Sequence, residues 1–172
     1  MKRITIIISV ILVAFAAVLV ACSKDDETST TLKIRLTDNP VAAEEVNVDI
    51  QQVRVNLSDD STSWIDLTTN AGVYNLLGLQ NGVDTLLASG VLPTNNYVKE
   101  IRFVLGASNS IKVAGITYPL TIPSGSESGL KIKVNKQLNA TLDSLLIDFD
   151  AALSVHQIGT GTYHLKPVLK IK

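Results

Sequence analysis

Val46-Asn47-Val48-Asp49-Ile50-Gln51-Gln52-Val53-Arg54-Val55-Asn56-Leu57 is the stretch that decides the fold class. Apolar and polar residues alternate through it, and side chains two apart share one face of a β-strand. The pattern is that of a strand with one face on a core and the other in water. The phase slips once, at Gln51-Gln52, where the apolar set moves from even to odd positions. A β-bulge or strand break there keeps both halves facing the same core. Working outward, the same period recurs in Leu32, Ile34 and Leu36, in Ile101, Phe103 and Leu105, in Leu130, Ile132 and Val134, and in Leu145, Ile147 and Phe149.

Turn signals punctuate these runs. Asn81-Gly82 suits a hairpin with two positive-φ residues, and Ala114-Gly115 separates two short apolar runs as a tight hairpin. Gly159-Thr160-Gly161 is a further break, Ser58 to Ser63 and Ser124 to Gly129 are polar loops, and Pro167 marks an edge or a bulge. Helical signals are thin and reduce to one short helix or turn over Leu86 to Ser89. Nine or ten strands at this spacing predict an all-β protein, a single antiparallel β-sandwich domain over residues 31–172.

Before residue 31 the chain changes character. Met1-Lys2-Arg3 is basic, and Ile4 to Ala21 is an apolar run with only Thr5 and Ser9 polar. This is the layout of a cleaved secretory signal peptide over residues 1–21. An uncleaved anchor is the alternative, since the run could just span a bilayer. Without that segment, 13 basic residues face 16 acidic ones, a net charge of −3. A mildly acidic chain lacks the electrostatic footprint of a nucleic-acid binder. The single cysteine excludes an internal disulfide framework and a thiolate zinc site.

Leu19-Val20-Ala21-Cys22 resembles the lipobox of bacterial lipoproteins. The resemblance implies diacylation of the Cys22 thiol, cleavage before it, and attachment to a membrane through the acyl chains. Lys24-Asp25-Asp26 resembles the export signal that sends Bacteroidota-type lipoproteins to the outer face of the outer membrane. Residues 22–30 then form a lipidated tether. Several segments of the body resemble the domain-of-unknown-function family 4382. They are Leu36-Thr37-Asp38-Asn39-Pro40, Leu92-Pro93 with Tyr97, Ile101-Arg102-Phe103-Val104-Leu105-Gly106, Pro123-Ser124-Gly125, Ser128-Gly129-Leu130-Lys131, Asp148-Phe149-Asp150-Ala151 and Leu165-Lys166-Pro167-Val168. That resemblance implies a compact β domain and brings no activity and no site residue.

Candidate chemistry is sparse. His156 and His164 are the only histidines, and no Gly-x-Ser-x-Gly elbow accompanies them. Asp148 and Asp150 flank Phe149, so both carboxylates are expected on one outward face or at a strand end. Such a pair suits Ca²⁺, with Asp38 and Asp66 as further ligands; capping of a turn is the simpler reading. Asp59-Asp60 reads as a solvated loop tip, and Ser124 to Gly129 as a connector without the Lys and helix of a P-loop. Ile65 and Leu67 look core-facing. That places Trp64, the only tryptophan, on the opposite face, either packed under the Ser58 to Ser63 loop or free to stack on a sugar ring. Tyr97 and Tyr118 are weaker versions of the same idea. Lys131, Lys133, Lys166, Lys170 and Lys172 read as edge charges or as a modest basic face. The sequence therefore predicts a non-catalytic outer-membrane lipoprotein, surface-exposed, with no cofactor. Its module binds a glycan or envelope protein or serves a structural role. The alternative is a periplasm-facing accessory subunit of an envelope complex.

Overall fold

The computed structural model describes residues 29–39, 41–58, 60, 62–94, 96–123, 130–138 and 141–172. The signal segment, Cys22, Lys24, Asp25, Asp26, Asp59 and the 124–129 loop lie outside the described residues. The strands are β1 (Ser29–Thr37), β2 (Glu45–Asn56), β3 (Trp64–Asp66), β4 (Thr68–Thr69), β5 (Gly72–Asn75), β6 (Thr85–Pro93) and β7 (Tyr97–Leu105). They continue as β8 (Ser110–Val113), β9 (Ile116–Thr121), β10 (Leu130–Gln137), β11 (Leu142–Phe149), β12 (Val155–Gly159), β13 (Thr162–Leu165) and β14 (Leu169–Ile171). A 3₁₀ turn covers Leu76–Leu79 and a one-turn helix, α1, covers Ala151–Ser154. No helix among the described residues is long and apolar enough to cross a membrane.

The strands form two packed sheets. The five-stranded sheet has the order β14-β11-β1-β6-β4. The nine-stranded sheet runs β10-β7-β2-β8-β9-β13-β12, with β3 and β5 also paired to β2. The fold is thus an all-β sandwich, but not a purely antiparallel one. β1 pairs parallel with β11, and β9 pairs parallel with β13. Parallel neighbours need a long connection, and short-range alternation carries no trace of one. β1 also begins at Ser29, two residues earlier than the alternation suggests, because Ser29 and Thr30 already pair with Pro93 and Leu92.

β2 is the organising strand. Its register to β7 shifts between Ile50 and Gln52, which places a bulge at Gln51 and leaves that residue exposed. Val46, Val48, Ile50, Val53 and Val55 are all fully buried as a result. From the opposite sheet Leu32, Ile34, Leu36, Ile147 and Phe149 meet them in the core.

Two local expectations are corrected. Leu86 to Ser89 is not helical but part of β6, which is held between β1 and β4. A register irregularity opposite Ile34/Arg35 puts Leu87 and Ala88 side by side in the core, and that doubling hid the strand period. Ile65 is exposed rather than buried, because it lies on a three-residue strand at the sheet margin, whereas Leu67 is buried. Pro167 sits in the break where the chain leaves β13 for β14 in the other sheet. Ala114 and Gly115 take positive φ at the β8–β9 hairpin. Asn81 and Gly82 do so as well, but between the 3₁₀ turn and β6 rather than in a hairpin.

Candidate functional site

Parallel pairing brings the ends of β1 and β11 to the same place. Thr37 stands beside Asp148, so Asp38 and Asn39 reach the segment Asp148 to Ala151. On the other side of β11, Lys170 pairs with Asp148 in the antiparallel register to β14. Asp38, Asp148 and Asp150 are all buried there. Of the two placements expected for this pair, the strand end holds and Asp150 caps a turn there, whereas the outward face is corrected: both carboxylates are buried at the end of β11.

Each carboxylate is held by internal donors. Asp148 Oδ2 accepts from Asn39 Nδ2 at 2.6 Å and faces Lys172 Nζ at 3.3 Å. Lys172 Nζ also donates to Asn39 Oδ1 at 2.9 Å. Asp150 Oδ2 accepts from Lys170 Nζ at 2.6 Å, while its Oδ1 accepts from the Leu153 N–H at 3.0 Å and caps α1. Asp38 Oδ1 accepts from the Ala151 N–H at 2.9 Å. Asp148 Oδ1 is buried and has no hydrogen-bond partner among the described residues. Burial, with a smaller push from the negative Asp148, raises the Asp38 carboxyl above its ordinary range. Burial works the same way on Asp150, but the Lys170 hydrogen bond and charge and the Leu153 N–H outweigh it and lower that carboxyl. Lys170 is raised by its hydrogen bond to Asp150.

This arrangement supplies its own positive charge. Asp66 does not join it, being ion-paired with Arg54 on the other sheet. Among the described residues no group of three or more His, Cys, Asp and Glu side chains is placed to hold a metal ion. The two histidines stand opposite one another across the β12–β13 ribbon.

The second cluster lies on the nine-stranded sheet. The register Asp66–Arg54–Arg102–Lys131 crosses β3, β2, β7 and β10, with Trp64–Asn56–Glu100–Lys133 beside it. Residues directly opposite in such a row share one face. Trp64 is half-buried, with the Arg102 guanidinium 4.1 Å and Lys131 Nζ 5.5 Å from its ring centre. It is therefore neither a buried plug nor a bare platform. The neighbouring loop is built by Asp60, whose carboxylate accepts from Ser58 Oγ at 2.8 Å and from the Thr62 and Ser63 N–H groups at 2.8 Å each. Those bonds, the Ser58 hydroxyl first, hold the Asp60 carboxyl far below its ordinary range, so it organises the loop tip rather than merely being solvated.

Lys131 and Lys133 remain on this face, whereas Lys170 and Lys172 serve the buried carboxylates, so the five lysines do not form one basic surface. Sequence reasoning missed Asn39 and Arg102. Neither carries a local signal, since each acts on a residue brought to it by strand pairing.

The sequence profile described as Domain of unknown function (DUF4382) matches residues 29–167. The chain belongs to this family. No curated protein and no solved structure matches it. The DUF4382 segment starts at the first residue of β1 and ends in the break before β14. It includes the three buried carboxylates and the Trp64 cluster and stops short of Lys170 and Lys172. Segments that carry the resemblance meet in space: Asp38-Asn39 packs against Asp148 to Ala151. Gly106 follows β7 against Asp49, where a Cβ at position 106 would overlap the Asp49 carboxylate.

Proposed function

We propose that the chain is a lipid-anchored envelope protein, displayed on the outer face of the outer membrane, whose sandwich is a non-catalytic binding or structural module. The observation that carries this reading is the order Leu19-Val20-Ala21-Cys22, Lys24-Asp25-Asp26 and a sandwich that begins at Ser29. Leu19-Val20-Ala21 directly before the single cysteine of the chain resembles the signal at which bacterial lipoproteins are acylated. Each buried methylene contributes about 0.8 kcal/mol, so two or three chains on Cys22 give lasting attachment where one would not. The saturation of Asp38 and Asp150 by internal donors supports a structural role for them rather than acid–base chemistry.

Cys22→Ala is expected to release the protein from the membrane fraction; unchanged fractionation would sink the anchor. Changing Lys24, Asp25 and Asp26 to Ala is expected to protect the domain from protease added to intact cells while acylation persists. If wild-type protein is already protected in intact cells and cut only after lysis, the domain faces the periplasm, as an accessory subunit would.

A further inference from the structure

The outer face of the nine-stranded sheet brings together residues the sequence scatters over some 70 positions. Among the described residues, Arg54 is paired with Asp66, whereas Arg102, Lys131 and Lys133 make no ion pair. Arg102 Nε is buried without a hydrogen-bond acceptor. Beside them is a recess of about 390 Å³, lined in part by Lys99, Lys133 and Asn135. That size falls in the lower part of the range for small-ligand sites, about 300–1,000 Å³. Lys99 Nζ donates to Asn135 Oδ1 at 3.2 Å, and Asn135 is brought into place by a bulge in β10 and its own positive φ. Glu100 lies in the same recess and leaves the face net positive on a chain whose net charge is negative.

We infer that this face binds an anionic sugar chain, one carrying carboxylates or sulfates, with Trp64 as the stacking surface and Arg102, Lys131 and Lys133 as the anion contacts. The inference rests on the binding-module reading above and names its ligand class. Three features favour a polysaccharide over a lipid surface. Two of the cations, Arg102 and Lys131, lie against an indole instead of forming an even sheet of charge. The recess accepts a ring-sized group. Asn135 beside it offers the amide chemistry that pairs with hydroxyls.

Trp64 is the only tryptophan, so its emission reports on this face alone. The purified full-length protein in detergent would be titrated with dextran sulfate and polygalacturonate, with neutral dextran and a short-chain phosphatidylglycerol that dissolves in the same micelles as comparisons. The expected result is a saturable emission change with at least one polyanion, reversed by salt, and none with neutral dextran. Lys131→Gln and Lys133→Gln, both exposed, should each weaken binding about fivefold. Lys166→Gln, which removes the same charge elsewhere, should leave it unchanged. Equal weakening by Lys166→Gln, polyanion binding without an emission change, or a response to the short-chain phosphatidylglycerol alone would each overturn the assignment. Membrane release by Cys22→Ala is read independently, so loss of the anchor reading and loss of this one are separate results.

Discussion

At Gly106 a single methyl group decides whether a loop can close. Asp49 is buried, and its Oδ2 accepts from the Ser108 N–H at 3.1 Å while its backbone oxygen accepts from the Gly106 N–H at 2.8 Å. A side chain at position 106 would displace that carboxylate. Gly106→Ala is expected to destabilise the domain by about 1–3 kcal/mol, the usual cost of overpacking, measured by urea denaturation. Adding Asp49→Ala should cost less than the sum of the two single changes; strict additivity would show that the clash is not the cause. The buried carboxylates give pH signatures of opposite sign. Asp150 is lowered, so its contribution is complete above the ordinary carboxylate value of about 3.9 and disappears as pH falls through its lower folded value. Lys170 is raised, so its contribution is complete below about 10.4 and disappears as pH rises through its higher folded value. Asp38 is raised, so the unfolded chain releases that proton first and stability falls as pH climbs from about 3.9 through the folded value. Melting temperatures from pH 2 to 8 should therefore separate two variants. Asp150→Asn should lower the midpoint at pH 7 and flatten the acid limb. Asp38→Asn, which keeps an acceptor for the Ala151 N–H, should match or exceed wild type at pH 7. Equal losses in both would refute this account.

Among the elements, the β8–β9 hairpin offers the clearest test. Ala114 sits at φ 50° and Gly115 at φ 76°, the pair of left-handed conformations that a two-residue turn of type I′ needs. Alanine resists that conformation at a cost of about 1–2 kcal/mol, which asparagine partly avoids. Ala114→Asn is expected to stabilise the domain by about 1 kcal/mol, read from the denaturation midpoint. A neutral or destabilising result would mean the turn carries no such strain. The elements that sequence alone revealed are those whose side chains alternate without interruption. β1 is of that kind, and β2 is so on either side of one slip, at Gln51-Gln52, which betrayed its bulge because both flanking runs are strongly apolar. β6 was lost because its own irregularity puts Leu87 and Ala88 together in the core, a doubling that reads as helix when no partner strand is visible. Ile65 was misplaced for the converse reason: its face is the core face, but its strand lies at a margin where that face is open.

For the molecule as a whole, what sequence could not supply was which strands are neighbours. The pairing of β1 with β11 joins residues more than 100 positions apart, and Asp38, Asp148 and Asp150 become one buried cluster only through it. Trp64 and Lys131 meet because three strand pairings place them on one face; alternation gave their facing but not their proximity. The same dependence on long-range pairing makes the C-terminal strand a test of the global design. β14 and the residue that follows it, Lys172, supply the two ammonium groups that face Asp150 and Asp148, although both lie beyond the DUF4382 match. A chain ending at Pro167 would expose the flank of β11 and leave two carboxylates without their cations. The carboxylates are buried while the two ammonium groups reach partly into solvent, so removing the cations leaves the buried charges uncompensated and destabilises the fold. The shortened chain is expected to melt well below the full chain or to lose a cooperative transition at pH 7. Adding Asp148→Asn and Asp150→Asn to it should restore part of the loss by removing the stranded charges, while the same two changes in the full chain should destabilise it. If the truncated protein melts like the full one, or if the asparagine pair rescues nothing, β14 acts only as an edge strand and the two lysines are surface decoration.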